Sequence, residues 1–142
     1  VRVVALSCCG RLMAAGDQEG EVTFWDVFSG AVLFKLHRHG SAVVSLALSQ
    51  DGALLASLDR SGAILLWDVR ARALKHMLKK PSGTSHFCPM HISLDGKLAC
   101  GGPAGAVWIW DLETCALLHT LTGHTRAVVA VAFAPNGETL AT

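Results

Sequence analysis

The sequence predicts an all-β chain of four-stranded antiparallel sheets, and three observations carry that prediction. A unit of two short apolar runs around a polar turn, closed by Trp-Asp, stands at Gly52 to Asp68 as GALLASLDRSGAILLWD. It recurs as GRLMAAGDQEGEVTFWD from Gly10 to Asp26 and as GKLACGGPAGAVWIWD from Gly96 to Asp111, and it starts again as GETLAT from Gly137 to Thr142. The spacing is nearly constant: Trp25, Trp67 and Trp110 lie 42 and 43 residues apart, and Gly10, Gly52, Gly96 and Gly137 lie 42, 44 and 41 apart. A fixed period of about forty residues marks a repeat architecture. The apolar runs are of strand length, with turn residues roughly every eight to twelve positions, which favours β over amphipathic helix.

The elements follow in order. Val1 to Ser7 reads as a buried strand, and Cys8-Cys9-Gly10 turns it back into Leu12 to Gly16. Asp17-Gln18-Glu19-Gly20 is a turn furnished with Asp and Gly. Val22 to Trp25 is the third strand, and Ala31 to Leu36 follows after Asp26 to Gly30 as the fourth. The second set is Val43 to Ser49, Leu54 to Leu58, Ile64 to Trp67 and Ala71 to Leu78. The third set is Phe87 to Ser93, Leu98 to Gly101, Val107 to Trp110 and Ala116 to Leu121. Val128 to Ala134 and Glu138 to Thr142 begin a fourth.

Composition narrows the function classes. The chain has 142 residues and a formal net charge of +1, so it is not built throughout as a polyanion binder. Hydrophobic residues make up 51%, but the longest apolar run, Ala127 to Ala134, is strand-sized and in register with other repeats. No signal peptide is expected, because Arg2 is followed by only four apolar residues before Ser7. Five cysteines, an odd number without a CxxC pair, suit reduced thiols in an intracellular protein, cytoplasmic or nuclear. The single asparagine, Asn136, precedes Gly-Glu, so no N-glycosylation acceptor is present.

Trp-Asp closing each third strand, Gly123-His124 before a first strand, and Asp-Gly or Asn-Gly between first and second strands resemble WD40 repeats. The resemblance covers essentially the whole chain. It implies a β-propeller, each blade a four-stranded sheet around a central axis. The blades would span residues 1–36, 43–78 and 87–121, with an incomplete fourth at 128–142. Propellers close with four to eight blades, so an internal piece of a larger protein, with exposed blade flanks, is expected.

The resemblance also implies a hydrogen-bonded tetrad of Trp, Ser or Thr, His and Asp. Its candidates in the second blade are Trp67, His39, Asp59 and either Ser57 or Ser61, although Arg38 stands where the Gly of Gly-His belongs. The first blade offers Asp17 and Glu19 and the third Gly102 and Ala104. A catalytic reading of Ser, His and Asp would need an exposed nucleophile and an oxyanion hole, and no GxSxG elbow occurs. His86, Cys88 and His91 have metal-like spacing, but alternation along a strand puts His91 on the opposite face, and a closed zinc site needs four ligands. Gly101 to Gly105 lacks the Lys-Ser/Thr and the helix of a phosphate loop. No metal, cofactor or catalytic residue is therefore expected.

Charge marks two regions. Arg70, Arg72, Lys75, Lys79 and Lys80 crowd eleven residues, the first three at a predicted outer strand, where charge blocks edge-to-edge pairing. By the resemblance, the loops His37 to Ala42, Lys79 to His86 and Thr122 to Ala127 share one face with the turns Asp17 to Gly20, Asp59 to Gly62 and Gly102 to Gly105. That face carries Arg38, Arg60, Lys79, Lys80 and Arg126, beside Asp17, Glu19 and Asp59. The segment from Trp67 to Gly96 is two residues longer than its counterparts, and Ser82 and Thr84 within it are candidates for phosphorylation. The reading is a non-catalytic protein–protein interaction scaffold. A reader of acidic or phosphorylated motifs in a signalling or ubiquitin-ligase assembly is the second reading, and propeller-borne catalysis a third. Partners are expected to be proteins or peptides, with neither membrane nor nucleic acid.

Overall fold

A computed structural model of the chain describes residues 1–79 and 88–142. The first sheet is β1 (Val3–Leu6), β2 (Leu12–Gly16), β3 (Glu21–Asp26) and β4 (Val32–His37), paired antiparallel in chain order. The second is β5 (Val43–Leu48), β6 (Leu54–Asp59), β7 (Ile64–Asp68) and β8 (Ala73–Leu78). The third is β9 (Met90–Ile92), β10 (Lys97–Gly101), β11 (Val107–Asp111) and β12 (Leu117–Leu121). A two-stranded fourth sheet joins β13 (Ala132–Phe133) to β14 (Leu140–Ala141). Among the described residues there is no helix, so none is long and apolar enough to cross a membrane.

The first strands stand side by side around a common axis: β1 meets β5, β5 meets β9, and β9 meets β13. Between consecutive sheets lies a core. Phe24, Val22 and Leu36 of the first sheet pack against Leu55, Leu65 and Trp67 of the second. The opposite face of the second sheet sets Ala56, Leu58 and Leu66 against Leu98, Trp108 and Trp110 of the third. Alternate residues of β7 thus serve different cores, as strand geometry requires. β7 and β11 read as continuous apolar runs, Ile64 to Trp67 and Val107 to Trp110, for the same reason. The outer face of the first sheet, by contrast, leaves Val4 and Leu6 about half exposed.

The Trp-Asp pair has a local cause. A register shift lies just before the tryptophan in all three sheets, at Phe24/Trp25, Leu66/Trp67 and Ile109/Trp110. Such a bulge sharpens the strand's twist. The aspartate then caps the following turn: Asp26, Asp68 and Asp111 accept the backbone N–H of Ser29, Ala71 and Thr114 at 2.8–2.9 Å.

Several strands are shorter than the sequence predicts. β13 and β14 are two residues each, paired as Ala132↔Ala141 and Phe133↔Leu140; Val128 N–H bonds to Gly102, as Val43 N–H does to Asp17, and Phe133 N–H bonds to the His91 ring. β8 begins at Ala73, so Arg70 and Arg72 belong to the preceding turn and only Lys75 lies on the outer strand. Arg72 stacks its guanidinium over Phe34, 4.9 Å from the ring centre, and Lys75 reaches the Leu112 carbonyl at 3.3 Å, so both tie neighbouring sheets together.

Candidate functional site

In the second sheet β6, β7 and the loop before β5 converge on one buried network. Trp67 Nε1–H donates to Ser57 Oγ at 2.7 Å. Ser57 Oγ lies 2.6 Å from His39 Nε2, and His39 Nδ1 lies 3.1 Å from Asp59 Oδ2. The roles follow from the partners. A carboxylate only accepts, so Nδ1 carries the imidazole proton, Nε2 accepts, and the Ser57 hydroxyl donates to it. Asp59 Oδ1 accepts from the Ser61 hydroxyl at 2.6 Å and from the Ser61 and Ala63 backbone N–H groups at 2.9 and 3.1 Å. Ser57 therefore takes the hydroxyl place beside the tryptophan, while Ser61 supports the aspartate from the turn. Among the described residues no buried side-chain polar atom lacks a partner.

The charge state is set by burial. Desolvation holds His39 below the ordinary histidine value, against the pull of Asp59, so it is neutral near pH 7. Burial works against the Asp59 charge too, but donors from Ser61, Ala63 and His39 outweigh it and hold its carboxyl below the usual range.

Ser57, His39 and Asp59 stand in the order of a hydrolytic triad, but the chemistry is closed off. Ser57 is fully buried, and its oxygen already accepts the indole N–H, so no acyl group can reach it. The network instead pins an inter-sheet loop to two strands.

The other sheets vary this theme. In the third, Cys100 stands at the register position of Ser57, two residues beyond the partner of the tryptophan, and Gly102 at that of Asp59. In the first those positions are Ala15 and Asp17. The fourth contains half a network that the motif reading did not assemble: His124 Nε2 lies 2.6 Å from Thr142 Oγ1, the same separation as His39 to Ser57. The signal was present, since Leu140-Ala141-Thr142 repeats Leu55-Ala56-Ser57.

The loops 37–42 and 122–127, after β4 and β12, lie at the same end of the sheets as the turns between second and third strands. Val43 N–H donates to Asp17 and Arg60 N–H to Ala42, so loop 37–42 is gripped by the turns of two adjacent sheets. Gly20 adopts φ 83° there, and a Cβ on it would sit 2.5 Å from the His39 carbonyl oxygen. Gly105, φ 81°, is pressed in the same way against the His124 carbonyl. Loop positions at this end are thereby fixed by backbone contacts.

Arg38, Arg60, Lys79 and Arg126 are all exposed at this end, and among the described residues none makes an ion pair. The acids of the face are engaged. Asp59 is buried against His39, and Asp17 Oδ1 accepts the Glu19 and Glu21 N–H groups at 2.9 Å each. Glu19 remains the exposed acid of these turns. Lys80, Ser82, Thr84 and His86 lie outside the described residues. Cys88 is buried in the core, whereas His91 turns the other way and accepts the Phe133 N–H through Nδ1 at 3.1 Å; burial lowers its pKa. Among the described residues no group of three or more His, Cys, Asp or Glu side chains is placed to hold a metal. Gly101 and Gly102 form a tight strand end whose backbone bonds to Pro89, Ala106 and Val128.

Comparison with known proteins gives three results. The profile of the family "WD domain, G-beta repeat" matches residues 30–68 and 115–142. Human U3 small nucleolar RNA-interacting protein 2 is 45% identical over 64 residues, 44% of this chain and 14% of that protein. Meiotic fizzy-related protein 1 of Schizosaccharomyces pombe is 28% identical over 136 residues, 89% of this chain and 30% of that protein. The chain therefore spans less than a third of either relative. Among solved structures, a chain of the mitotic checkpoint complex superposes with a TM-score of 0.81 at 34% identity, over 93% of this chain and 40% of that one. The structure of U3-55K superposes at 0.78 with 24% identity, over 90% and 41%, and shares the fold.

Proposed function

The chain belongs to the WD40-repeat β-propeller family, and from that premise we propose that it is a non-catalytic scaffold that binds other proteins through the loop end of its sheets. The observation that carries the reading is which charged groups there reach solvent and which are engaged. Arg38, Arg60 and Arg126 project from backbone-locked loops without ion-pair partners, while Asp17 and Asp59 spend their carboxylates on internal donors. A rigid cationic site favours an acidic or phosphorylated peptide, because a guanidinium can grip a carboxylate or phosphate in bidentate fashion and little ordering entropy is lost. Lys79 would extend the same field.

The relatives support the coarser part. One is named for its interaction with a small nucleolar RNA, and one neighbour is part of a mitotic checkpoint assembly. Both fit an intracellular, including nuclear, setting and a role in assemblies. The sealed Ser57 hydroxyl argues against the catalytic alternative.

Titrating fluorescent acidic and phosphorylated peptides into the protein tests the charge reading. Binding should weaken tenfold or more in Arg38→Glu and in Arg126→Glu, and fall with added salt. Unchanged affinity in both variants would sink it.

A further inference from the structure

One position among the innermost strands departs from the repeat. Where first and second strands pair, an alanine faces an alanine: Ala5 and Ala14, Ala47 and Ala56, Ala132 and Ala141. In the third sheet the second strand keeps its alanine, Ala99, but the first strand carries His91. The imidazole reaches out of its own sheet into the next. His91 Nδ1 lies 3.1 Å from the Phe133 backbone nitrogen, and the two rings stand 6.1 Å apart between centroids. A backbone N–H only donates, so Nδ1 is the acceptor and the imidazole proton sits on Nε2.

The junction that this bond spans is slight. The core shared by the third and fourth sheets is Ala99, Val107, Val128 and Val131, with Phe133 and Leu140 half-buried beside it, whereas the core between the second and third holds two tryptophans, Trp108 and Trp110. Val128 N–H bonds to the Gly102 carbonyl at 3.0 Å, and Phe133 is half of the short β13–β14 pairing. A proton on Nδ1 would set two donors against each other at this point, and no nearby carboxylate offsets the charge. Among the described residues β5 and β13, which pack against β9, carry no ionisable side chain. β10 carries Lys97, engaged by Asp95 of the β9–β10 turn, and the Cys100 thiol, directed to the Gly101 carbonyl at 3.6 Å. Burial lowers the His91 pKa, which fits the neutral acceptor that the geometry requires.

We propose that His91 is a proton-sensitive latch between the third and fourth sheets: neutral, it holds the Phe133 N–H and keeps the fourth sheet docked; protonated, it releases that N–H, and the segment from Val128 to Thr142 opens. Opening uncovers Ala99 and Val107 of the third sheet, and Arg126, in the loop that leads into the fourth, loses its fixed place. The sign follows from the geometry. The closed state refuses a proton that the open state accepts, so the latch is fully present above about pH 6.5 and is lost as pH falls below it.

Deuterium exchange of the full chain tests the latch, read by mass spectrometry of its peptides and corrected for the intrinsic effect of pH on exchange. Between pH 7.5 and 5.5 the protection of segment 128–142 should fall several-fold, toward a ceiling of about tenfold set by one proton and an open-state pKa of about 6.5. Segment 12–26, in the first sheet, should change less. His91→Asn places a carbonyl oxygen that does not titrate near the site of Nδ1, and should keep the protection at pH 7.5 without the fall. His91→Ala installs the residue of the other repeats and should also lack the fall, from a lower starting protection. His124→Gln removes the other histidine at this junction, whose Nε2 lies 2.6 Å from Thr142 Oγ1, and should leave the fall in place. Protection of 128–142 that does not change with pH in the parent, a fall that survives in either His91 variant, or one that vanishes in His124→Gln would overturn the proposal.

Discussion

Replacing Ser57 by alanine is the sharpest test of the buried network. The change removes one oxygen from a fully buried position and deprives two groups at once: the Trp67 indole N–H, 2.7 Å away, and His39 Nε2, 2.6 Å away. An orphaned buried polar group costs about 1–3 kcal/mol, so the pair predicts a loss of about 2–6 kcal/mol. Against a typical total of about 5–15 kcal/mol that is a large fraction, and Tm should fall by on the order of 10 °C. Urea unfolding followed by tryptophan fluorescence measures it, with an unchanged m-value showing that the same surface is exposed. Trp67→Phe removes the donor instead. The double variant should lose less than the sum of the singles, with a coupling of about 1 kcal/mol or more. A Ser57→Ala loss under about 0.5 kcal/mol, or zero coupling, would refute the argument that the hydroxyl joins these groups.

Three further expectations follow from the same structure. Burial depresses the pKa of His39 and His91, so the unfolded chain binds protons near pH 6.5 that the folded chain refuses. Their contribution is fully present above about pH 6.5 and is lost as pH falls through that value toward the folded pKa values; the urea midpoint should be lower at pH 5.5 than at 7.5, and an unchanged midpoint would contradict it. Gly105→Ala forces a Cβ into a left-handed backbone and against the His124 carbonyl, and should cost at least about 2 kcal/mol in chemical denaturation. Cys9→Asp places in the first repeat the residue that the second and third already use, and should leave the urea midpoint at or above that of the parent; a clear fall would contradict the equivalence of the turns.

The repeat, its strand types and the order within each sheet were legible because they rest on local chemistry. A polar turn with glycine, a run of β-branched and apolar residues, and an aspartate that caps the next turn each act within a few residues. Strand ends were less legible. β13 keeps only Ala132 and Phe133 of the expected Val128 to Ala134, and the Phe133 N–H goes to the ring of His91, 42 residues away, a contact between sheets that the pattern does not encode. Arg72 looked like an edge charge but packs over Phe34, a contact between sheets that no local pattern encodes.

For the sites, the sequence determined which residues a network could draw on: Trp67, His39, Asp59 and two serines. Tertiary structure decided between the serines, since only Ser57 shares a strand face with the tryptophan across β6 and β7, while Ser61 lies in the turn beside Asp59. It also separated the charges of the loop end, holding Asp17 and Asp59 on internal donors and leaving the arginines in solvent. Spacing along a chain fixes which residues are available, but pairing is settled by which donors the folded backbone brings within about 3 Å, and that distance belongs to the packing of sheets.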